Sequence, residues 1–173
     1  MSYIVIDVEA DNQNPAIGSM VCFGAVKVSD LSQTFYGQTK PITDNYSEEA
    51  LAISGFSREQ HEQFDDPASV MLKFNDWVND VSEGRPIFIT DNVAFDWQWI
   101  DYYFYKYLGK NPFGFSARRI GDLYCGMVKD AKKNYEWKKK FRKTKHDHNP
   151  VNDAMGNAEA LLKMQELGLK IKF

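Results

Sequence analysis

The sequence predicts a mixed α/β fold in which helices pack on a central sheet. Three observations lead there. An apolar, β-branched run lies near the start, two more strand-like segments follow it after short connections, and several later segments repeat apolar residues every three or four positions. Tyr3 to Val8 has the composition of a buried strand, and it runs into acids. Asp11 to Pro15 is turn chemistry, after which Met20 to Val28 reads as a second strand and Thr34 to Thr39 as a weaker third, closed by Pro41. Three successive strands with short links predict an antiparallel meander.

Helical signals then take over. Ser47 caps a short helix through Ile53, and Ser57 opens another towards Phe64. From Pro67 to Val81 the residues Val70, Met71, Phe74, Trp77, Val78 and Val81 keep the period of an amphipathic helix. Ile87 to Thr90 is a further buried strand. Asp96 is placed to cap the next helix, whose stripe is Trp97, Ile100, Phe104, Tyr107 and Leu108 before Asn111-Pro112-Phe113-Gly114 ends it. Ile120 to Val128 is ambiguous, with a short strand entering a helix as the reading it offers. A last helix from Asn152 or Asp153 offers Ala154, Ala158, Leu161 and Leu162 to the core.

At 173 residues, with 43% hydrophobic and 26% charged side chains, the chain is expected to form one globular domain, residues 1–173. No apolar run approaches the ~20 residues of a membrane helix, and the start lacks a basic leader, so a soluble cytoplasmic protein with no membrane partner is expected. Cys22 and Cys125 have no metal-ligand spacing, which disfavours a disulfide framework and a structural zinc site. The net charge is -3, yet Lys129 to Lys145 carries nine Lys or Arg against Asp130 and Glu136, a local +7. Beside Tyr135, Trp137 and Phe141, that stretch has the makings of a polyanion site with aromatic faces for bases; its plainer reading is a solvated helix face or a mobile loop.

The chemistry gathers in three places. Asp7 and Glu9 lie two apart on one strand, so both carboxylates share a face with Cα atoms roughly 6.6 to 7 Å apart, and hard divalent cations relieve their repulsion. Asp96 follows a second buried strand at a strand-to-helix junction, where α/β sheets gather ligand groups; as a helix N-cap it would need no other reason to be there. His148 and Asp153 bracket the start of the last helix. A loop histidine near an anchored carboxylate is a workable general base, free to swing.

Taken in order, Asp7-x-Glu9, Asn92-x-x-Phe95-Asp96 and His148-x-x-x-x-Asp153 resemble the three motifs of the DEDDh branch of the DEDD (DnaQ-like) 3'-5' exonucleases. The look is closest to small bacterial and phage exoribonucleases. Phe23-Gly24-Ala25-Val26 is similar to the family's second strand and Ala50 to Gln60 to its helical segment, so the resemblance spans nearly the whole chain. Three positions depart from it: Ala10-Asp11 follows the first motif where Thr-Gly is frequent, Asp91-Asn92 replaces His-Asn, and Pro150 stands where a small residue is usual.

The resemblance implies a ribonuclease H-like mixed sheet flanked by helices. It implies that Asp7, Glu9, Asp96 and Asp153 hold two Mg²⁺ or Mn²⁺ ions while His148 deprotonates the attacking water, releasing nucleoside 5'-monophosphates. The expected partner is single-stranded RNA or DNA with a free 3' end, RNA favoured. Ala10, Met20, Asn92, Phe95 and Trp97 are candidate substrate-binding residues, with Met20, Phe95 or Trp97 against the terminal base; Trp97 has a rival role in the core. Two other readings use the same residues: a hydrolase of short oligonucleotides or cyclic-nucleotide signals, and a catalytically silent nucleic-acid-binding module. A homodimer is compatible with the superfamily, and Tyr102, Tyr103 and Tyr105 are candidate interface aromatics.

Overall fold

In the computed structural model, which describes residues 1–173, five strands form one sheet. They are β1 (Ser2–Ala10), β2 (Met20–Lys27), β3 (Thr34–Gln38), β4 (Pro86–Thr90) and β5 (Ala117–Arg119), in the order β3-β2-β1-β4-β5. The first three form the expected antiparallel meander, and β4 and β5 add in parallel beyond β1. Seven helices surround the sheet: α1 (Glu48–Ile53), α2 (Arg58–Glu62), α3 (Pro67–Val81), α4 (Val93–Leu108), α5 (Ile120–Val128), α6 (Glu136–Phe141) and α7 (Pro150–Glu166), with a short 3-10 turn at Ala131–Lys133. None is long and apolar enough to cross a membrane.

β1 is central and covered on both sides, which explains its unbroken apolar run. Ile4, Ile6 and Val8 join Phe23, Phe74, Phe88 and Trp99 in the cluster under α3 and α4. Tyr3 and Val5 join Val26, Ile89, Trp137 and Leu161 in the opposite cluster, which α5, α6 and α7 cover. Asp7 and Glu9 continue that second face past its apolar part. The register slips between Glu9 and Ala10, where Glu9 faces Cys22 but Ala10 faces Met20. Such a bulge bends the strand end and re-aims the side chains beside it.

Several boundaries differ from the sequence reading. β1 continues to Ala10, so the acids lie inside the strand. α2 stops at Glu62, short of Phe64. β5 precedes the Ile120–Val128 helix as a separate three-residue strand; parallel pairing with β4 makes so short a segment a strand. Asn92, not Asp96, is the N-cap of α4, and Asn149 caps α7, which starts at Pro150 rather than at Asn152 or Asp153. Proline at the first helical position supplies a pre-set φ and lacks only an N–H with no helical partner there. On α4 the fully buried side chains are Trp99, Ile100, Tyr103 and Phe104, a stripe rotated from the one expected.

The basic stretch is folded. Trp137 is wholly buried, with its indole N–H donating to the Asn134 carbonyl at 2.9 Å, and Phe141 packs on Tyr124. Trp137 presents no free face to a base, which corrects the stacking expected of it; Phe141 is half-buried and Tyr135 is exposed. Tyr103 is likewise a core residue, its hydroxyl accepting from the Met20 amide at 2.9 Å, and offers nothing to an interface, whereas Tyr102 and Tyr105 are exposed. Both cysteines are free thiols.

Candidate active site

The C-terminal end of β1 meets the N-terminal ends of α4 and α7. Both helices carry an aspartate four residues after the cap, and in both the cap carbonyl accepts that aspartate's amide, Asp96 from Asn92 at 3.0 Å and Asp153 from Asn149 at 2.9 Å. The two carboxylates thereby sit in the first helical turn, where the helix dipole favours negative charge.

Asp153 reaches β1 because β2 carries a glycine at the crossing. Gly24 pairs with Asp7, and a Cβ there would lie 2.3 Å from the Val151 amide nitrogen and 2.5 Å from the Pro150 carbonyl oxygen. The α7 backbone occupies the space of a side chain. As a result Asp7, Glu9 and Asp153 bring one carboxylate oxygen each within 4.8 Å of one another.

Asp96 takes a different position. One of its oxygens accepts from the Val8 amide at 3.1 Å and the other from the buried Thr90 hydroxyl, so it ties β1 to β4 just beyond their last paired residues, Val5 and Ile89. It lies close enough to act on Asp7 electrostatically. Its geometry is a side-chain brace between strands, which overturns the N-cap reading.

The charges crowd one another. Burial raises the Asp7 carboxyl well above its ordinary 3.8, and the neighbouring Asp96, Asp153 and Glu9 push it further, against the Arg142 guanidinium. Burial also raises Glu9, opposed by His148, and lifts Asp96 to about 7 despite its bonds from Thr90 and Val8. An all-oxygen donor set that repels itself suits a hard divalent cation. One atom also awaits a partner: Asp153 Oδ2 is buried without a hydrogen bond, since His146 Nδ1 approaches to 2.7 Å without hydrogen-bond alignment.

His148 stands at the rim, half exposed, with Nδ1 3.4 Å from Glu9 Oε1. Its φ of 61° is left-handed, uncommon outside glycine and found where surrounding structure enforces it. Asp147 does the enforcing, accepting from the Asn149 amide at 3.0 Å and the Asn152 side chain at 2.8 Å. These bonds hold the backbone on either side of the histidine expected to swing.

The substrate-binding candidates divide. Asn92 is exposed beside the cluster with an uncommitted side chain. Phe95 is half-buried, packed on Trp99 with centroids 6.2 Å apart. Trp97 is also half-buried and stands edge-on to Phe88 at 5.1 Å, in keeping with its rival core role. Met20 is fully buried, and so is nearly all of Ala10, so the Met20 side chain has no face for a base.

Sequence reasoning missed Arg142, Thr90 and the position of His146. The Arg142 guanidinium donates to Asp153 Oδ1 at 2.8 Å, and Gly156 makes room for it: a Cβ there would lie 2.4 Å from Arg142 Nε. Nothing distinguishes Arg142 from the other cations of its stretch in the sequence. His146 and His148 stack edge to face with ring centroids 4.3 Å apart.

Residues 2–165 match the family described as the Rv2179c-like 3'-5' exoribonuclease domain. Cap18, a 3'-5' DNA exonuclease of Escherichia coli, is 32% identical over 177 residues, covering 98% of this chain and 95% of that protein. A full-length 3'-exonuclease superposes with a TM-score of 0.78 at 17% identity over 99% of this chain and 84% of that one. Another 3'-exonuclease, solved in 3'-end specific recognition of a histone mRNA stem-loop, gives a TM-score of 0.79 at 16% identity; the match covers 99% of this chain and 65% of that one. At such identities the solved structures speak to the fold, which they share with the ribonuclease H-like sheet found here. By its match over almost its full length, the chain belongs to the Rv2179c-like 3'-5' exoribonuclease domain family.

Proposed function

We propose that this 3'-5' exonuclease is a divalent-metal enzyme acting on single-stranded nucleic acid with a free 3' end, in which Asp7, Glu9, Asp96 and Asp153 serve two Mg²⁺ or Mn²⁺ ions and His148 is the general base. The observation that carries this reading is the convergence of Asp7, Glu9 and Asp153, from two elements far apart in sequence, to within 4.8 Å, with His148 3.4 Å from Glu9. When bound, such ions supply Lewis-acid stabilisation of charge on the phosphoryl and leaving oxygens. Asp7, Glu9 and Asp153 would supply ligand oxygens, and Asp96, held by Val8 and Thr90 beside Asp7, would add its carboxylate to the same charge.

His148 accepts a proton from the water that attacks phosphorus, and its contact with Glu9 orients the imidazole. The bond between phosphorus and the 3' oxygen of the preceding nucleotide breaks, and that oxygen leaves with the strand. The released nucleotide carries a 5'-monophosphate. Asn92 and Phe95, at the opening beside α4, flank the terminal nucleotide. RNA is the proposed preferred strand, in line with the family's description, although Cap18 acts on DNA.

The test is hydrolysis of 5'-end-labelled single-stranded RNA and DNA with Mg²⁺ or Mn²⁺, beside calorimetric titration of Mn²⁺. A ladder shortening from the 3' end, abolished in Asp7→Asn together with most Mn²⁺ affinity, supports the reading. Wild-type hydrolysis by Asp7→Asn removes Asp7 from the ligand set, and faster loss of DNA than RNA reverses the preference.

A further inference from the structure

The basic stretch forms one wall of the site. Lys138 of α6 pairs with Asp91, beside the cap of α4. Arg142 holds Asp153, and the Lys143 and Thr144 amides donate to the Glu159 carboxylate of α7 at 2.9 and 2.8 Å. With Trp137 buried beneath it, this segment is fixed to the edges of the acidic cluster at both ends.

Between α6 and the histidine loop lies an open cleft of about 430 Å³, lined by Lys138, Lys139, Arg142, Lys143, Lys145 and His146 with one threonine. No acid and no apolar side chain lines it. Lys138 and Arg142 are spoken for by Asp91 and Asp153, but Lys139, Lys143 and Lys145 are exposed and make no ion pair. Arg142 and His146 touch both the cleft and Asp153, so the cleft adjoins the acidic cluster across these two side chains.

Three exposed ammonium groups without an ion pair, lining one cleft, repel one another unless an anion lies among them, and a strand whose 3' end is at the carboxylates must bring its remaining phosphates past one of the walls. We propose that this cleft binds backbone phosphates of the strand on the 5' side of the scissile bond, so that the enzyme favours strands of several nucleotides over dinucleotides. This rests on the exonuclease reading and adds to it a substrate length. Strand binding is electrostatic and releases counterions, at about 0.7 in salt slope for each phosphate neutralised on a single strand. Three lysines therefore account for a slope of about 2.

The experiment uses the full chain with Lys139→Gln, Lys143→Gln and Lys145→Gln combined. The backbone amide by which Lys143 meets Glu159 survives the change. A fluorescent single strand of about 12 nucleotides is titrated without metal by polarisation over a range of salt, and kcat/KM is compared for that strand and a dinucleotide. Lys170→Gln with Lys172→Gln is the control for positive charge lost elsewhere, with an expected slope change of zero; Lys172 lies beside Met1 and Lys27, at the far end of the sheet from the carboxylates. Expected are a salt slope lower by about 2 in the triple variant only, and a loss of at least about tenfold in the preference for the longer strand. An unaltered slope, or the same loss in the control, overturns the cleft assignment. Lysine-dependent strand binding without hydrolysis of any substrate leaves the cleft standing and defeats the exonuclease reading.

Discussion

Replacing Gly24 by alanine tests how closely α7 must approach the sheet. The added methyl would lie 2.3 Å from Val151 N, 2.4 Å from Pro150 C and 2.5 Å from Pro150 O, against the 3.4 Å at which ordinary contact begins. These are backbone atoms and cannot rotate aside, so the first turn of α7 must withdraw by about 1 Å, taking Asp153 from Asp7 and Glu9. Overpacking of this kind costs about 1–3 kcal/mol, or a melting point lower by about 2–10 °C for a chain of this size. A displacement of 1 Å among groups that position a reaction costs about 10²-fold in rate. Thermal unfolding, Mn²⁺ titration and exonuclease rates below the variant's melting range measure the three effects separately. Gly126 on α5 is the control, since a Cβ there meets nothing within 4 Å; alanine at that helical position is expected to stabilise by about 0.5–1 kcal/mol. Wild-type metal affinity and rate in Gly24→Ala would refute the argument that this glycine places Asp153.

Arg142→Met leaves Asp153 Oδ1 buried without its cation and is expected to cost about 3–5 kcal/mol in a metal-free melt. Much of the loss should return with saturating Mn²⁺, and a melt insensitive to the ion would count against a cation site at Asp153. His148→Ala should lower kcat by about 10² to 10⁴ while strand binding stays close to wild type; an unchanged kcat points instead to His146 or to solvent as proton acceptor. Buried His61, with Nε2 3.3 Å from the Met20 carbonyl, is lowered by desolvation from 6.5 to about 4. Its contribution to stability is present above pH 6.5 and is lost as pH falls from 6.5 towards 4, by up to about 3 kcal/mol. Asp11 nearby works in the opposite sense, raised by burial from 3.8 to about 6, so it gains as pH falls through that window. His61→Gln keeps a donor for Met20 without titrating, and urea unfolding between pH 4 and 7 should show its stability falling less than that of wild type; parallel curves would exclude His61 as the source.

The acids, the histidine and most elements were legible because their signals are local. Tyr3 to Val8 is apolar on both faces because β1 is buried on both, and its interruption by Asp7 and Glu9 marks the point where packing yields to chemistry. Ser47, Ser57 and Pro67 announce their helices through capping, a property of a few adjacent residues. Less was readable where a residue's state depends on a distant partner. Met20 looks like any strand methionine until the sheet and Tyr103 enclose it, and Trp137 looks like part of a basic surface until α6 docks and buries it.

By itself the chain order determined which residue types were present to do the work: three acidic motifs and a histidine, at spacings that strand and helix periodicity can bring to one end of a sheet. Tertiary structure alone decided their separate surroundings. It brought Asp7, Glu9 and Asp153 together, turned Asp96 onto Val8 and Thr90, and selected Arg142 out of nine cations to face Asp153. The physical reason is that a carboxylate's partner is set by which backbones approach closely. Here that approach depends on Gly24 and Gly156, where the absence of a side chain leaves room that no local pattern reveals.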